Sequence, residues 1–233
     1  MQIIKQFFLF MFIIGCGLFS HSFFLSPFGL SQRTIKIVLD PAGDAQNSGR
    51  TIDDSFERSI TWHYCYYLQK SLEAKFSDVK VIITRQPGEV ISELQNANFT
   101  NRLNADLFLS IHFFQEMLTK PQLFIYTFSN NDDFVTQRSD VMFYRYDHMH
   151  QYNAKRTKIF AHSIQQSLDT PENKQKFECM DIISCPFKPL IGIKAPAIAF
   201  EIGLKKKEDW QLYVEPIVAS IETLITQYLQ KTS

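Results

Sequence analysis

The sequence lacks an excess of charge of either sign. Lysine and arginine together number 24, as do aspartate and glutamate, in a chain of 233 residues. A balanced charge gives no overall field that would attract nucleic acid, so we expect no nucleic-acid binding. The chain also lacks the G-x-G-x-x-G and P-loop motifs, which argues against a nucleotide site. There is no G-x-S-x-G turn either, so Ser110, inside an apolar run, is a poor candidate for a serine nucleophile.

Cysteine is scarce, and its spacing excludes a zinc finger. The four cysteines are Cys16, Cys65, Cys179 and Cys185, and no pair has the short spacing that such sites use. Cys65 lies within a helical pattern and is expected to be a buried free thiol. Cys179 and Cys185 lie close together in a proline-containing segment, which would allow a disulfide in an oxidising compartment.

The N-terminal apolar run is too short to cross a bilayer comfortably. It extends over residues 7–18, follows Lys5 and is typical of the core of an export signal. We therefore assign residues 1–31 to a signal peptide or N-terminal anchor. Three alternatives stay open: a cleaved signal, an uncleaved anchor, and a lipoprotein processed at Cys16, since residues 13–16 resemble a lipoprotein cleavage box. All three place the remaining chain in the periplasm or cell envelope, and the last two attach it to a membrane.

Residues 32–233 alternate between apolar, β-rich runs and longer helical patterns. This alternation predicts an α/β fold, with a mostly parallel twisted sheet and helices on both faces, in a single domain. Residues 129–153 are polar without a clean period and are predicted to form an exposed excursion. The predicted strands are 35–40, 79–85, 106–112, 122–128 and 196–201, and the predicted helices are 53–74, 89–104, 154–169 and 208–230.

Three apolar strands finish in an ionisable residue. These residues are Asp40, His112 and Glu201. Because the carboxyl ends of parallel strands meet at one edge of a sheet, where ligands commonly bind, the three side chains predict a site. Glu57 joins them if its helix turns that face to the sheet, as its spacing from the apolar residues suggests. The alternative is an exposed first-turn acid that complements the helix dipole.

Four segments together resemble a known family. The segments IKIVLDPAG, VKVIITR, NADLFLSIH and APAIAFEIG occur in this order between residues 35 and 230. They resemble the zinc-dependent N-acetylmuramoyl-L-alanine amidases of bacterial cell walls. The resemblance implies that residues 32–233 form an amidase-like catalytic domain. It also implies a peptidoglycan substrate, cut at the amide between N-acetylmuramic acid and L-alanine.

The resemblance also implies roles for individual residues. Glu57 and His112 match zinc ligands of the family, and Glu201 matches its general base. A zinc ion with three protein ligands keeps one position for water and lowers the pKa of that water towards ~7. The carboxylate would then take the proton, and the hydroxide would attack the amide.

One departure from the family concerns the first zinc ligand. The family usually reads D-P-G-H-G-G after the first strand, whereas this chain reads D-P-A-G-D-A, with Gly43 in the place of the histidine. Three explanations stay open. Asp44 substitutes as an oxygen ligand; or His148 or His150 reaches the metal from the excursion; or the metal is lost, leaving an inactive module that binds cell wall or regulates a hydrolase. In a further departure, Asn96 stands where the family usually has arginine.

Overall fold

The centre of the molecule is a six-stranded β-sheet, seen in a computed structural model that describes residues 33–130 and 145–230. The assigned signal or anchor and residues 131–144 of the polar excursion lie outside the described residues. The strands are β1 (Ile35–Pro41), β2 (Thr51–Ile52), β3 (Ser55–Phe56), β4 (Val79–Ile83), β5 (Leu107–Gln115), β6 (Gln122–Phe128), β7 (Glu178–Cys185) and β8 (Ala197–Leu204). The α-helices are α1 (Glu57–Lys75), α2 (Glu93–Leu103), α3 (Ala154–Leu168), α4 (Asn173–Lys176) and α5 (Val214–Leu224).

The large sheet is mostly parallel. Its strand order is β4-β1-β5-β8-β6-β7, while β2 and β3 form a separate two-stranded ribbon. Strands β4, β1, β5 and β8 run parallel. Strand β6 runs antiparallel to β8, and β7 is parallel to β6. The predicted fold class is confirmed, and the carboxyl ends of β1, β5 and β8 lie side by side.

Helices cover both faces of the sheet, as predicted. Successive residues of a strand point to opposite faces, so Ile37 and Leu39 pack on one face while Val38 packs on the other. The first face carries α1, α3 and α5 and holds the larger apolar core. The second face packs on α2 and on the segment 187–195. The buried side chains of the sheet thus explain why its strands read as continuous apolar runs.

Several element boundaries differ from the prediction. Strands β5 and β8 continue three residues beyond His112 and Glu201, so these two residues lie within strands rather than at their ends. The predicted helix 208–230 divides into a 3-10 segment (Lys207–Tyr213), α5 and a π-helical turn (Ile225–Leu229). The end of the excursion forms a 3-10 helix (Tyr146–Asn153). In the described part of the chain, no helix combines the length and hydropathy needed to cross a membrane.

Strand β7 was not predicted, and it answers the open question of a Cys179–Cys185 disulfide. Cys179 and Cys185 stand near its two ends, and both are free thiols. Six residue steps along an extended strand cover about 20 Å, far beyond the reach of a disulfide. The strand therefore excludes the Cys179–Cys185 bridge that the sequence left open. Cys65 is a buried free thiol, as expected.

Candidate active site at the carboxyl edge of the sheet

The parallel strands bring the predicted ionisable residues to one region of the sheet. His112 of β5 is the direct neighbour of Glu201 in β8. Asp40 of β1 is the neighbour of Ser110, two residues before His112. The juxtaposition expected from the strand pattern is therefore present, although the histidine and the glutamate belong to strand interiors.

Glu57 turns inward from the first position of α1. It is 4% exposed, and its two carboxylate oxygens accept hydrogen bonds from the backbone N–H groups of Arg50 and Phe113, each at 3.0 Å. His112 Nδ1 lies 3.6 Å from Glu57 Oε1. Burial opposes ionisation, but the nearby His112 and the backbone hydrogen bonds outweigh it and lower the pKa of Glu57. Glu57 is thus a buried carboxylate of the site rather than an exposed first-turn acid.

A hydrogen-bonded chain fixes the orientation of His112. Ser110 Oγ donates to Asp40 Oδ2 at 2.9 Å and lies 3.0 Å from His112 Nε2. Ser110 Oγ thus bridges the Asp40 carboxylate and His112 Nε2. The other ring nitrogen, Nδ1, then faces Glu57. Such an outer hydrogen bond is how proteins set the tautomer of a functional histidine.

Asp40 anchors this chain from inside the protein. Besides Ser110, it accepts hydrogen bonds from Thr84 Oγ1 at 2.9 Å and Asn96 Nδ2 at 2.7 Å. Asn96 stands where the resemblance leads us to expect arginine, and it donates a hydrogen bond to this carboxylate. Burial nevertheless raises the pKa of Asp40 above its ordinary value, and the hydrogen bonds offset this only in part.

Glu201 has two side-chain partners that sequence reasoning did not find. Arg50 Nη2 donates to its Oε1 at 2.6 Å, and the hydroxyl of Tyr126 donates to its Oε2 at 2.9 Å. Burial, together with this hydrogen bond, raises the pKa of Tyr126 to about 12. Phe187 stacks on the Tyr126 ring at 4.9 Å and meets the His112 ring edge-on at 5.2 Å. Glu201 and His112 therefore share a partly covered, aromatic-walled corner.

The connection between β1 and α1 leaves no room for a side chain at Gly43. Gly43 has φ +75°, and a Cβ there would lie 2.8 Å from Arg58 Cβ and 3.0 Å from the Asn47 carbonyl oxygen. Asp44 Oδ1 accepts hydrogen bonds from the N–H groups of Gln46 and Asn47, at 2.8 and 2.6 Å. The carboxylate of Asp44 therefore closes its own turn, and its assignment as a zinc ligand stays a prediction.

These donors do not fit a zinc site with three protein ligands. Glu57 and His112 are close enough to share an ion, but the described residues contain no group of three or more His, Cys, Asp or Glu able to hold one. His150 packs 4.5 Å from Phe128, beside a different cleft from the one that His112 lines. Structural and catalytic zinc sites rarely have fewer than three protein ligands.

A cleft of about 480 Å³ opens beside the site. The end of β1, the following connection, the start of α2 and His112 line it. Asn96 is part of this lining and is 8% exposed, and within the described residues its Oδ1 has no hydrogen-bond partner. A buried acceptor without a partner is costly unless a ligand or water supplies a donor. Asn96 Oδ1 is thus a buried, unsatisfied acceptor in the wall of the cleft.

Four contributors to the site escaped sequence reasoning: Arg50, Ser110, Tyr126 and Phe187. Arg50 lies in an irregular connection, and its partner Glu201 is 151 residues away. The one available signal was periodicity, since Ser110 is two residues from His112 and therefore on the same face of β5. The contacts of Arg50, Tyr126 and Phe187 depend on the order of the strands and on the path of the segment before β8.

Comparisons with known proteins agree with this architecture. The family model of N-acetylmuramoyl-L-alanine amidases matches residues 37–230. A curated relative, the amidase CwlM of Bacillus licheniformis, is 30% identical over 78 residues, which are 34% of this chain and 31% of the relative, so the match spans about a third of that protein.

Solved amidase structures share the fold at low sequence identity. Ami1 from Mycobacterium abscessus superposes with a TM-score of 0.61 at 15% identity, over 83% of this chain and 99% of the other. An amidase from Clostridium difficile 630 gives 0.58 at 16% identity, over 84% and 99%. The CwlV catalytic domain from Bacillus (Paenibacillus) polymyxa gives 0.57 at 17%, over 84% and 98%. Since the family model covers most of the chain, the protein belongs to the N-acetylmuramoyl-L-alanine amidase family.

Proposed function

We propose that this protein acts on peptidoglycan as a binding protein that recognises the muramoyl-peptide portion at the cleft beside His112, without zinc-dependent hydrolysis. Family membership supports the choice of ligand. The conformation of Gly43 is the observation that favours binding over cleavage. Gly43 has φ +75° and a Cβ position 2.8 Å from Arg58 Cβ, so the first ligand's position has no room for a side chain. Among the described residues, no group of three or more His, Cys, Asp or Glu could hold a metal ion.

The cleft keeps groups that suit a peptide ligand. The Oδ1 of Asn96 is buried in the cleft wall and has no partner among the described residues, and we propose that it accepts an amide N–H of the stem peptide when the ligand binds. Arg85, which lines the same cleft, donates to the carbonyl oxygens of Pro41 and Ala42 and holds the cleft wall. These features need no metal, so recognition can survive the loss of catalysis.

Binding of a purified disaccharide-peptide tests this proposal. Isothermal titration of the wild-type chain should give a saturable isotherm. Asn96→Ala should weaken binding by roughly five- to tenfold, because one hydrogen bond to the ligand is worth about 1 kcal/mol. Asn98→Ala, an exposed position on the same helix, serves as the control and should bind like the wild type. Equal affinity in Asn96→Ala and the wild type, or no binding at all, contradicts the proposal.

Zinc-dependent cleavage of the amide is the second candidate. The observation that favours it is the retained pair, with His112 Nδ1 3.6 Å from Glu57 Oε1 and Glu201 beside His112 in the neighbouring strand. Chromatographic assay of stem-peptide release from muropeptides in the presence of zinc separates the two candidates. Release by the wild type that disappears in Glu201→Gln establishes cleavage. No release from a protein that binds the same muropeptide establishes binding alone.

We propose an extracytoplasmic location, supported by the export-like N-terminal segment and by the nature of the ligand. Fractionation of cells that express the full chain should place it in the envelope. Cys16→Ser separates the lipoprotein alternative from the other two, because it would remove lipid labelling without abolishing export. Recovery of the protein in the cytoplasm contradicts the location.

A further inference from the structure

Arg50 has a position in the site that its sequence context did not suggest. Its guanidinium lies between two carboxylates: Nη2 is 2.6 Å from Glu201 Oε1, and Nη1 is 4.0 Å from Glu57 Oε1. Nη1 also donates to the Phe113 carbonyl oxygen at 3.3 Å. We propose that this guanidinium is the resident cation of the site and takes over the neutralising role of a metal ion. The proposal rests on the metal-free function proposed above and adds how the site dispenses with the metal.

The two carboxylates need a positive partner. The side chain of Glu57 is 5% exposed and that of Glu201 is 14% exposed. A buried carboxylate is strongly disfavoured unless a cation and hydrogen bonds compensate for the lost water. Backbone N–H groups donate hydrogen bonds to Glu57, and the Tyr126 hydroxyl donates one to Glu201. Arg50 supplies the formal positive charge, because its guanidinium forms an ion pair with each carboxylate.

The backbone holds Arg50 at this point. Its N–H donates to Glu57 Oε2 at 3.0 Å, and its carbonyl oxygen accepts from the Glu57 N–H at 2.8 Å. Both backbone groups of Arg50 are therefore hydrogen-bonded to Glu57, in the first turn of α1. This fixes the start of the side chain, and the bond to the Phe113 carbonyl oxygen restrains its end.

A zinc ion between Glu57 and His112 would compete with this arrangement. The guanidinium and the ion carry like charges, and charges a few ångströms apart in a partly buried site interact strongly. The same ion would also lack the third ligand that Gly43 cannot supply. Arg50 and Gly43 are separate residues with separate contacts, and both disfavour a metal in this corner.

Zinc-dependent thermal stability tests the role of Arg50. The full chain and its Arg50→Ala and Arg50→Gln variants are melted with and without zinc, and zinc affinity is measured by titration. Arg50→Gln keeps polar donors without the charge, so it remains informative if Arg50→Ala fails to fold. Arg102→Ala, which changes an exposed arginine of α2, is the matched control. The double variant Arg50→Gln/His112→Ala tests whether any zinc bound is held at this site.

Removal of the charge should lower the melting temperature without zinc and raise zinc affinity at least about tenfold over the wild type. Zinc should then restore the stability of the Arg50 variants, but not of the wild type, Arg102→Ala or the double variant. Equal zinc affinity in the wild type and Arg50→Gln overturns the proposal, as does an Arg50 variant that loses no stability and gains no zinc response. Muropeptide binding by the wild type is measured separately, so the failure of the proposed function remains distinguishable.

Discussion

At the scale of single residues, the strand pattern could predict the acids and the histidine but not their partners. Asp40, His112 and Glu201 each follow an apolar run, so their shared location follows from a parallel sheet. Arg50 and Tyr126 meet Glu201 from positions 151 and 75 residues away along the chain. No local pattern encodes such contacts, because they depend on strand order and on an irregular connection. The charge balance of the site could therefore be learned only from the fold.

Asp40 provides a prediction about pH. Burial raises its folded-state pKa above the unfolded value of about 3.9, so the folded protein holds this proton more tightly than the unfolded chain. The resulting stabilisation is complete below the unfolded pKa and is lost as the pH rises through the folded pKa. Asp40→Asn is neutral at every pH. Its melting temperature relative to the wild type should therefore rise between pH 3 and pH 7.

Thermal melts of both proteins across that range measure the difference. Asp53→Asn, at an exposed residue whose positive φ of 56° suits asparagine, is the control and should track the wild type. A difference between Asp40→Asn and the wild type that stays constant with pH would show that Asp40 has no shifted titration.

At the scale of elements, the connection between β1 and α1 decides the chemistry of the site. The sequence showed that a glycine replaces the expected histidine, and it left open whether Asp44 compensates. The structure shows Asp44 closing a turn through the N–H groups of Gln46 and Asn47. Turn geometry of this kind depends on the conformation of several residues together, so the spacing of residues in the sequence could not show it.

Restoring the histidine should therefore fail. Gly43→His places a side chain at φ +75°, with its Cβ 2.8 Å from Arg58 Cβ. We expect a loss of roughly 2–4 kcal/mol in the free energy of unfolding, from backbone strain and overpacking together. We also expect no tight zinc binding. Gly88→His is the control: its φ is +90° but no atom lies within 4 Å of a Cβ, so it reports strain without the clash. A stable Gly43→His protein with stoichiometric zinc would contradict this view of the connection.

At the scale of the whole molecule, the mostly parallel sheet with helices on both faces was predictable because its strands are buried on both sides and read as apolar runs. Strand β7 was missed for the opposite reason. Among the described strands it pairs only with β6, and all of its residues are exposed or half-buried, so its sequence ECMDIISC has no apolar run. Because the strand was not predicted, a Cys179–Cys185 disulfide stayed open on the sequence alone, whereas the extended strand holds the two cysteines apart.

The positions of the cysteines on β7 predict how the protein responds to reductant and to thiol labelling. Because Cys65, Cys179 and Cys185 are free thiols, reductant should leave the melting temperature unchanged. Thiol labelling in denaturant, on a chain with Cys16→Ser, should modify all three. Labelling of the folded protein should be slow at Cys179, because burial raises the pKa of its thiol to about 12 and leaves almost no thiolate at neutral pH. A melting temperature that falls with reductant, together with fewer than three labelled thiols, would restore the disulfide and place β7 elsewhere in the molecule.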